Sequence, residues 1–150
     1  ILQEEITKLA SAISDKDITL SRQHYLKLSL PETYKILLNT GIQADYTMGY
    51  ATQLGFRAST CTPFYWYDLQ NETCTDLKIF PFAVMDQTLK KYLKLNPESA
   101  IQKINTLMDE VKKVNGTFIS LWHNETLSNF AGWKKWRKVY DEMLEYASKT

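Results

Sequence analysis

PESAIQKINTLMDEVKKVNGTFISLWH, residues 97–123, joins a helical pattern to an apolar strand and decides the fold class of this chain. Apolar side chains recur at helical spacing from residue 97 to residue 114, and Asn115-Gly116 ends the pattern. An almost continuous apolar run follows from Thr117 to Trp122. Such a run is typical of a parallel strand that is covered on both faces. The stretch therefore predicts a helix, a turn and a parallel strand that ends at His123.

The same alternation of helix and strand is predicted along the rest of the chain. Helical periodicity predicts three further helices, over 1–14, 31–39 and 133–148. Short strands are predicted over 18–23 and 42–46, and the irregular middle from 47 to 81 adds strands near 56–58, 64–67 and 77–80. Helices that alternate with strands imply an α/β fold with a parallel sheet. The strands are too few to close a barrel of eight.

Composition narrows the class of protein. A chain of 150 residues with 44% apolar content suffices for one domain, so we expect residues 1–150 to form a single partial domain. A formal net charge of +1 argues against a dedicated nucleic-acid partner. No apolar run approaches the roughly 20 residues that span a bilayer, and no signal-peptide pattern is visible. Because the chain begins with Ile1 inside a helical pattern, we expect it to be part of a longer protein.

The two cysteines, Cys61 and Cys74, lie 13 positions apart. Two free thiols are favoured over a disulfide, because no secretion signal is visible. Their spacing is not that of a structural zinc site. The compartment and the oligomeric state stay open.

The only two histidines each stand at the end of an apolar run. The carboxyl ends of parallel strands meet at one edge of a sheet, so we expect both histidines to share a pocket. Histidine titrates near neutral pH and suits a general acid that protonates a leaving group. A histidine that is merely a satisfied polar residue is the plainer alternative. The side chains expected to meet there are Arg22, His24, Tyr25, Trp122, His123 and Asn124.

Other charged residues add candidates with structural alternatives. Arg22 follows a strand and could hold a carboxylate in a bidentate geometry, or form a structural salt bridge. Arg57 has the same ambiguity. Asp45 ends the strand that begins at Ile42, and either it or Asp86 could orient a histidine or an arginine. For Asp86 we favour the alternative that it caps the helix that follows.

Aromatic residues make up 13% of the chain and cluster between Tyr46 and Tyr67. This cluster suits stacking against sugar rings, although packing in a core is the commoner use of aromatic side chains. The chain contains no glycine-rich phosphate loop, no Gly-x-Ser-x-Gly, no His-Glu-x-x-His and no His-x-x-x-His. A metal site of the two-histidine type is therefore not expected within these residues.

Several segments together resemble the C-terminal half of the polysaccharide deacetylase homology domain, carbohydrate esterase family four. Ser21-Arg-Gln-His-Tyr25, followed by a helix, Gly41 and Asp45-Tyr-Thr-Met-Gly49, is similar to the family's third motif. Ser120-Leu-Trp-His-Asn124 is similar to the fifth motif. Gly55 to Cys61 and Pro81 to Asp86 resemble a bacterial branch that acts on unidentified polysaccharides. The resemblance implies the C-terminal part of a distorted, incomplete (β/α) barrel of about seven parallel strands.

The resemblance also implies roles for individual residues. His123 becomes the general acid that protonates the departing amine, and Arg22 orients a catalytic-base aspartate. Asp86 is a candidate for the fourth-motif aspartate that tunes the histidine, although the expected neighbouring Trp is absent. His24 stands where the family usually has proline, and its catalytic role is our inference from the residues. The substrate-binding candidates are Trp122, which lines the acetyl pocket by resemblance, together with Tyr25, Asn124, Arg57 and Asp45.

The family's first two motifs, which supply the base and the ligands of a divalent metal, are not found in these residues. We expect the metal, zinc by preference, to be held by residues upstream of Ile1, and the isolated chain to be inactive. The main hypothesis is therefore part of a metal-dependent hydrolase that removes acetyl groups from N-acetylated sugars. The alternative is a non-catalytic carbohydrate-binding module or pseudoenzyme. A plainer interaction domain without a small-molecule ligand is the third possibility.

Overall fold

Short parallel strands and amphipathic helices build this chain, as seen in a computed structural model that describes residues 2–13, 17–128, 130 and 132–149. The fold is mixed α/β, and its strand pairs are mostly parallel. The chain divides into two compact units. Unit 1 comprises residues 1–48 and 63–80, and unit 2 comprises residues 49–62 and 81–150.

Unit 1 is built around a four-stranded sheet with the order β1-β2-β4-β3. The β1–β2 and β2–β4 pairs are parallel, and β3 and β4 form an antiparallel hairpin. Its elements in chain order are α1 (Leu2–Ala12), β1 (Leu20–Ser21), a 3₁₀ turn (His24–Leu26), α2 (Glu32–Asn39), β2 (Ala44–Asp45), β3 (Phe64–Asp68) and β4 (Thr73–Ile79).

The end of α2 follows from its local sequence. Gly41 has φ +80°, a conformation that glycine adopts without a Cβ penalty. Its N–H donates to the carbonyl of Leu38 at 3.0 Å, and the N–H of Ile42 donates to the carbonyl of Leu37 at 3.0 Å. These are the two bonds of a Schellman motif. The chain is thereby turned from α2 into β2, which ends at Asp45.

Unit 2 packs two long helices beside one short parallel strand pair. Its elements are β5 (Val84–Met85), a π-helical turn (Thr88–Tyr92), α3 (Pro97–Lys113), β6 (Ser120–Leu121), a 3₁₀ turn (Asn124–Leu127) and α4 (Trp136–Ser148). The side chain of Asn96 caps α3 by accepting from the N–H of Ser99 at 2.8 Å. The core of this unit consists of Ala83, Val84, Leu89, Ala100, Ile104, Met108, Trp133, Trp136, Val139 and Met143.

The structure confirms the mixed α/β class and corrects several details. The strands predicted over 18–23 and 117–122 shrink to two residues each, because only those residues pair with a neighbour. The strand predicted at 56–58 is absent, and this segment forms turns while Phe56 packs against the core of unit 2. The helix predicted from 133 begins at Trp136, because Lys135 has φ +79°. Among the described residues the paired strands form two sheets, not one, and neither closes into a barrel.

Two further findings concern the whole described part of the chain. No helix within it is both long and apolar enough to cross a bilayer. Cys61 and Cys74 are free thiols, which confirms the preference drawn from the sequence.

Candidate functional site

Asp86 and His123 come together at the ends of the two strands of unit 2. Asp86 directly follows β5, and His123 lies two residues after β6. The strands are parallel with Met85 opposite Leu121, so both residues leave the sheet at the same edge. The Asp86 side chain is fully buried, whereas 43% of the His123 side chain is exposed. A buried carboxylate thus supports an imidazole that reaches solvent.

Four hydrogen-bond donors surround the Asp86 carboxylate. Its Oδ1 lies 2.8 Å from His123 Nδ1 and accepts the N–H of Gln87 at 2.6 Å. Its Oδ2 accepts the N–H of His123 at 2.7 Å and the hydroxyl of Thr126. An ionised carboxylate accepts only, so four donors match its hydrogen-bonding capacity. The arrangement compensates the burial of this group and fixes its orientation.

This geometry assigns the protons of the His123 ring. Because Asp86 presents an acceptor to Nδ1, the ring carries a proton on Nδ1 in the neutral form. Nε2 is then the nitrogen left to take up or release a proton. A histidine oriented through Nδ1 by a buried aspartate is the arrangement in which imidazole acts as general base and, once protonated, as general acid. The expectation that Asp86 only caps a helix is wrong, since its carboxylate binds the His123 ring.

Trp122 and Asn124 flank His123 but differ in environment. The indole N–H of Trp122 donates to Ser120 Oγ at 3.2 Å, and its ring meets Tyr140 edge-on at 5.2 Å. These contacts fix the indole in a half-buried position. Asn124 is exposed, and its Oδ1 accepts the N–H of Glu125 at 3.0 Å. Their substrate-binding roles stay predictions.

In unit 1, Arg22 lies close to the end of β2. Its Nε donates to the carbonyl oxygen of Tyr46 at 3.3 Å, and the guanidinium carbon lies 5.9 Å from the centre of the Tyr46 ring. Burial lowers the pKa of the Arg22 guanidinium. The negative charge of Asp45 offsets part of that fall in the pKa. The terminal amino groups of Arg22 donate to no described residue, so they keep the capacity to bind a carboxylate.

Asp45 is fully buried at the end of β2. It accepts the N–H of Thr47 at 3.0 Å and the Thr47 hydroxyl at 2.7 Å. Burial raises the pKa of the Asp45 carboxyl, and the hydrogen bonds from Thr47 and Ser21 and the charge of Arg22 offset part of that rise. The carboxylate is engaged within its own turn, so the sequence expectation of substrate binding by Asp45 stays a prediction.

His24 and Tyr25 form an exposed ring pair in unit 1. Their rings stack with centroids 4.2 Å apart and planes 20° apart. Tyr25 has φ 58°, in the left-handed region that bulky residues rarely adopt. The pair borders an open groove of about 680 Å³ between α1 and β1, which Arg22 and Lys27 also line. His24 and Tyr25 thus lie in a 3₁₀ turn, directly after the stretch 18–23 that is predicted as a strand.

The structure groups the candidate residues by unit. Arg22, His24, Tyr25 and Asp45 belong to unit 1, and Asp86, Trp122, His123 and Asn124 belong to unit 2. Arg57 lies exposed in a turn of unit 2. That His24 and His123 share a pocket stays a prediction. The sequence reasoning missed Thr126 and the backbone donors of Gln87 and His123; the one available signal was a hydroxyl residue three positions after His123.

A metal does not fit the described residues as they stand. No group of three or more His, Cys, Asp or Glu side chains among them is placed to hold a metal ion. Within unit 2 the Asp86 carboxylate is occupied by four donors, one of them the His123 ring. The expectation of a divalent metal, zinc by preference, therefore concerns residues other than these and stays a prediction.

Comparison with known proteins adds no relative. The chain matches no protein-family model, no curated protein is significantly similar to it, and no solved structure shares its fold at a significant level.

Proposed function

We propose that this chain is the acid-bearing part of a metal-dependent polysaccharide deacetylase, a hydrolase that removes acetyl groups from N-acetylated sugars. The observation that carries the proposal is the contact of 2.8 Å between His123 Nδ1 and Asp86 Oδ1. These two residues stand where the sequence resemblance expects the tuning aspartate and the acid histidine. The support is therefore a joint one, from motif position and from geometry.

His123 has the chemistry needed for the second half of the reaction. When the carbon–nitrogen bond of the tetrahedral intermediate breaks, the nitrogen keeps the electron pair and takes a proton from Nε2 of the protonated ring. The leaving group then departs as a neutral amine rather than as an amide anion. Asp86 stabilises the positive charge of the imidazolium before the transfer and keeps the ring oriented.

The unused amino groups of Arg22 support its proposed role. In the family that the motifs resemble, this arginine orients a catalytic-base aspartate. Only the Nε of this guanidinium donates to a backbone carbonyl, so its two terminal amino groups are available for such a carboxylate. When bound, the divalent metal of the family activates the attacking water; its ligands are proposed to lie outside this chain.

The test is an acetate-release assay on the full-length protein that contains this chain, with an N-acetylated chito-oligosaccharide as substrate. Zinc-dependent release that EDTA abolishes is expected, and His123→Ala should reduce it by about two orders of magnitude or more. Asp141→Ala, an exposed carboxylate of the same unit, is the control and should leave the rate unchanged. Unchanged turnover in His123→Ala contradicts the acid role, as does zinc-dependent turnover by the 150-residue chain alone.

A second candidate, a carbohydrate-binding module without catalysis, is favoured by one feature of unit 1. Tyr65 and Tyr67 are 54% and 48% exposed, and they project from the same face of β3. Lys78 Nζ lies 5.7 Å from the centre of the Tyr65 ring and 5.5 Å from that of Phe80. Two exposed tyrosine rings, with an ammonium group beside one of them, suit stacking against sugars.

Calorimetric titration of the chain with the same oligosaccharide tests this candidate. If unit 1 binds sugar, the double variant Tyr65→Ala and Tyr67→Ala should abolish the heat of binding. Tyr92→Ala is the matched control, because Tyr92 is 53% exposed and belongs to unit 2. Binding that survives the double variant removes this candidate.

A further inference from the structure

We propose that Thr126 is a positioning residue, which holds Asp86 so that His123 keeps its proton on Nδ1 and presents Nε2 to the substrate. The inference rests on the proposed function for its catalytic consequence only. Its structural content, a hydroxyl that controls the tautomer of a histidine through an aspartate, is testable without any activity.

The backbone places the Thr126 hydroxyl beside Asp86. Thr126 is fully buried in the 3₁₀ turn that follows His123, and its N–H donates to the His123 carbonyl oxygen at 3.0 Å. Its hydroxyl donates to Asp86 Oδ2, which lies on a segment 40 positions earlier in the chain. The first contact is local, whereas the second, across 40 positions, is not one that a threonine with a purely local role makes.

The hydroxyl has two acceptors within reach and one proton to donate. Its oxygen also lies 2.7 Å from the carbonyl oxygen of His123. A hydrogen bond to a charged carboxylate is stronger than one to a neutral carbonyl, so the proton goes to Asp86. The carbonyl loses little, since it already accepts the N–H of Thr126.

Thr126 fixes which oxygen of Asp86 faces which partner. Oδ2 is held by the Thr126 hydroxyl and by the N–H of His123 at 2.7 Å. Oδ1 is thereby directed to His123 Nδ1 at 2.8 Å. Without the hydroxyl, Oδ2 becomes a buried acceptor with one donor fewer, and the carboxylate gains freedom to rotate away from the ring. The ring then loses the contact that favours a proton on Nδ1.

Two variants separate the hydroxyl from the shape of the side chain. Thr126→Val keeps the volume and removes the donor, whereas Thr126→Ser keeps the donor and removes a methyl group. The readout is the pair of ¹⁵N chemical shifts of the His123 ring, measured in the 150-residue chain with the imidazole neutral. His24, the only other histidine, is the internal control.

The wild type and Thr126→Ser are expected to carry the proton on Nδ1, and Thr126→Val is expected to shift toward the Nε2-protonated form that free imidazole side chains prefer. The ring shifts of His24 should be the same in all three proteins. A wild-type His123 protonated mainly on Nε2 overturns the proposal, and so does a Thr126→Val protein whose His123 shifts equal those of the wild type.

If Thr126→Val does not fold, the wild type decides the matter. A hydroxyl proton donated to a buried carboxylate exchanges slowly with water, so the Thr126 hydroxyl should give an observable proton resonance that moves in Asp86→Asn. The absence of this resonance from the wild type overturns the proposal.

In the full-length enzyme, Thr126→Val should lower kcat by about one to two orders of magnitude at nearly constant KM, since a bond to a charged group is lost. Thr126→Ser should restore most of the rate. If the ¹⁵N shifts behave as expected but neither the wild type nor the two variants release acetate from the sugar, the positioning role stands and the proposed function fails. If deacetylation occurs and Thr126→Val leaves both kcat and the shifts unchanged, the positioning role fails alone.

Discussion

Replacing Asp86 by alanine should destabilise unit 2 well beyond the loss of an ordinary surface carboxylate. The Asp86 side chain accepts four hydrogen bonds in a buried position, two of them from the backbone N–H groups of Gln87 and His123. In Asp86→Ala the Thr126 hydroxyl has a second acceptor at 2.7 Å, and the exposed His123 ring reaches water. The two backbone N–H groups have no such replacement.

The magnitude follows from those two donors. A buried donor that loses its acceptor costs about 1–3 kcal/mol, so two of them give a loss of about 2–6 kcal/mol in the free energy of unfolding. Asp86→Asn should lower the free energy of unfolding less than Asp86→Ala does, because the amide oxygen still accepts the donors of one carboxylate oxygen. The NH₂ group that replaces the other oxygen cannot accept, so the two donors there lose their acceptor.

Urea unfolding followed by tryptophan fluorescence measures this loss, because Trp133 and Trp136 lie in the core of unit 2. Asp141→Ala removes an exposed carboxylate from α4 and should change the free energy by less than about 0.5 kcal/mol. A loss below about 1 kcal/mol in Asp86→Ala, with an unchanged m value, refutes the account of Asp86 as a fully bonded buried carboxylate.

Three further predictions concern other parts of the chain. Burial raises the pKa of the Asp45 carboxyl, so the native state binds this proton more tightly than the unfolded state. The stability of the wild type relative to Asp45→Asn should therefore fall as the pH rises from about 4 through the raised pKa. Urea titrations at several pH values measure this trend, and its absence contradicts a raised pKa. Lys90 Nζ lies 4.1 Å from the centre of the Trp133 ring, so Lys90→Met should lower the unfolding free energy by about 0.5–1 kcal/mol, whereas Lys91→Met, at an exposed site, should not. Gly41→Ala should lower the melting temperature through its φ of +80° alone, by an amount equivalent to about 1–2 kcal/mol, because no atom lies within 4 Å of the added Cβ; equal melting temperatures contradict this.

The helices of this chain are predictable because their signals are local. The α3 helix carries its cap at Asn96, its first-turn Pro97 and its apolar face within one continuous stretch. The α2 helix ends at Gly41 for an equally local reason. Such elements follow from side chains that are neighbours in sequence, and the predicted bounds of α2 and α3 agree with the structure to within one residue.

The strands are harder to predict, because pairing is a property of two segments. The apolar run from Thr117 to Trp122 predicts a strand of six residues, yet only Ser120 and Leu121 pair with β5. Phe118 and Trp122 pack against the core of unit 2 without pairing with β5, because packing needs no strand ladder. Phe56 similarly packs against the core without belonging to a strand.

The candidate site likewise combines a residue with a local sequence signal and residues whose roles depend on tertiary contacts. His123 is visible in the sequence as a polar residue after an apolar run, but Asp86 lies 37 positions away and looks locally like a helix cap. Only the pairing of β5 with β6 makes it a partner of the imidazole. The two backbone donors have no sequence signature, and the only signal for Thr126 is a hydroxyl three positions after His123, because its role depends on a tertiary contact with Asp86.

The dependence of rate on the leaving group tests the acid role of His123 most directly. An N-acetylated sugar needs a proton on the departing nitrogen, whereas 4-nitrophenyl acetate releases a phenolate that leaves without one. In the full-length protein, His123→Ala should therefore slow release of acetate from the sugar by about two orders of magnitude or more and slow the ester reaction little. An equal loss on both substrates, or no loss on the sugar, contradicts the role assigned to the Asp86–His123 pair.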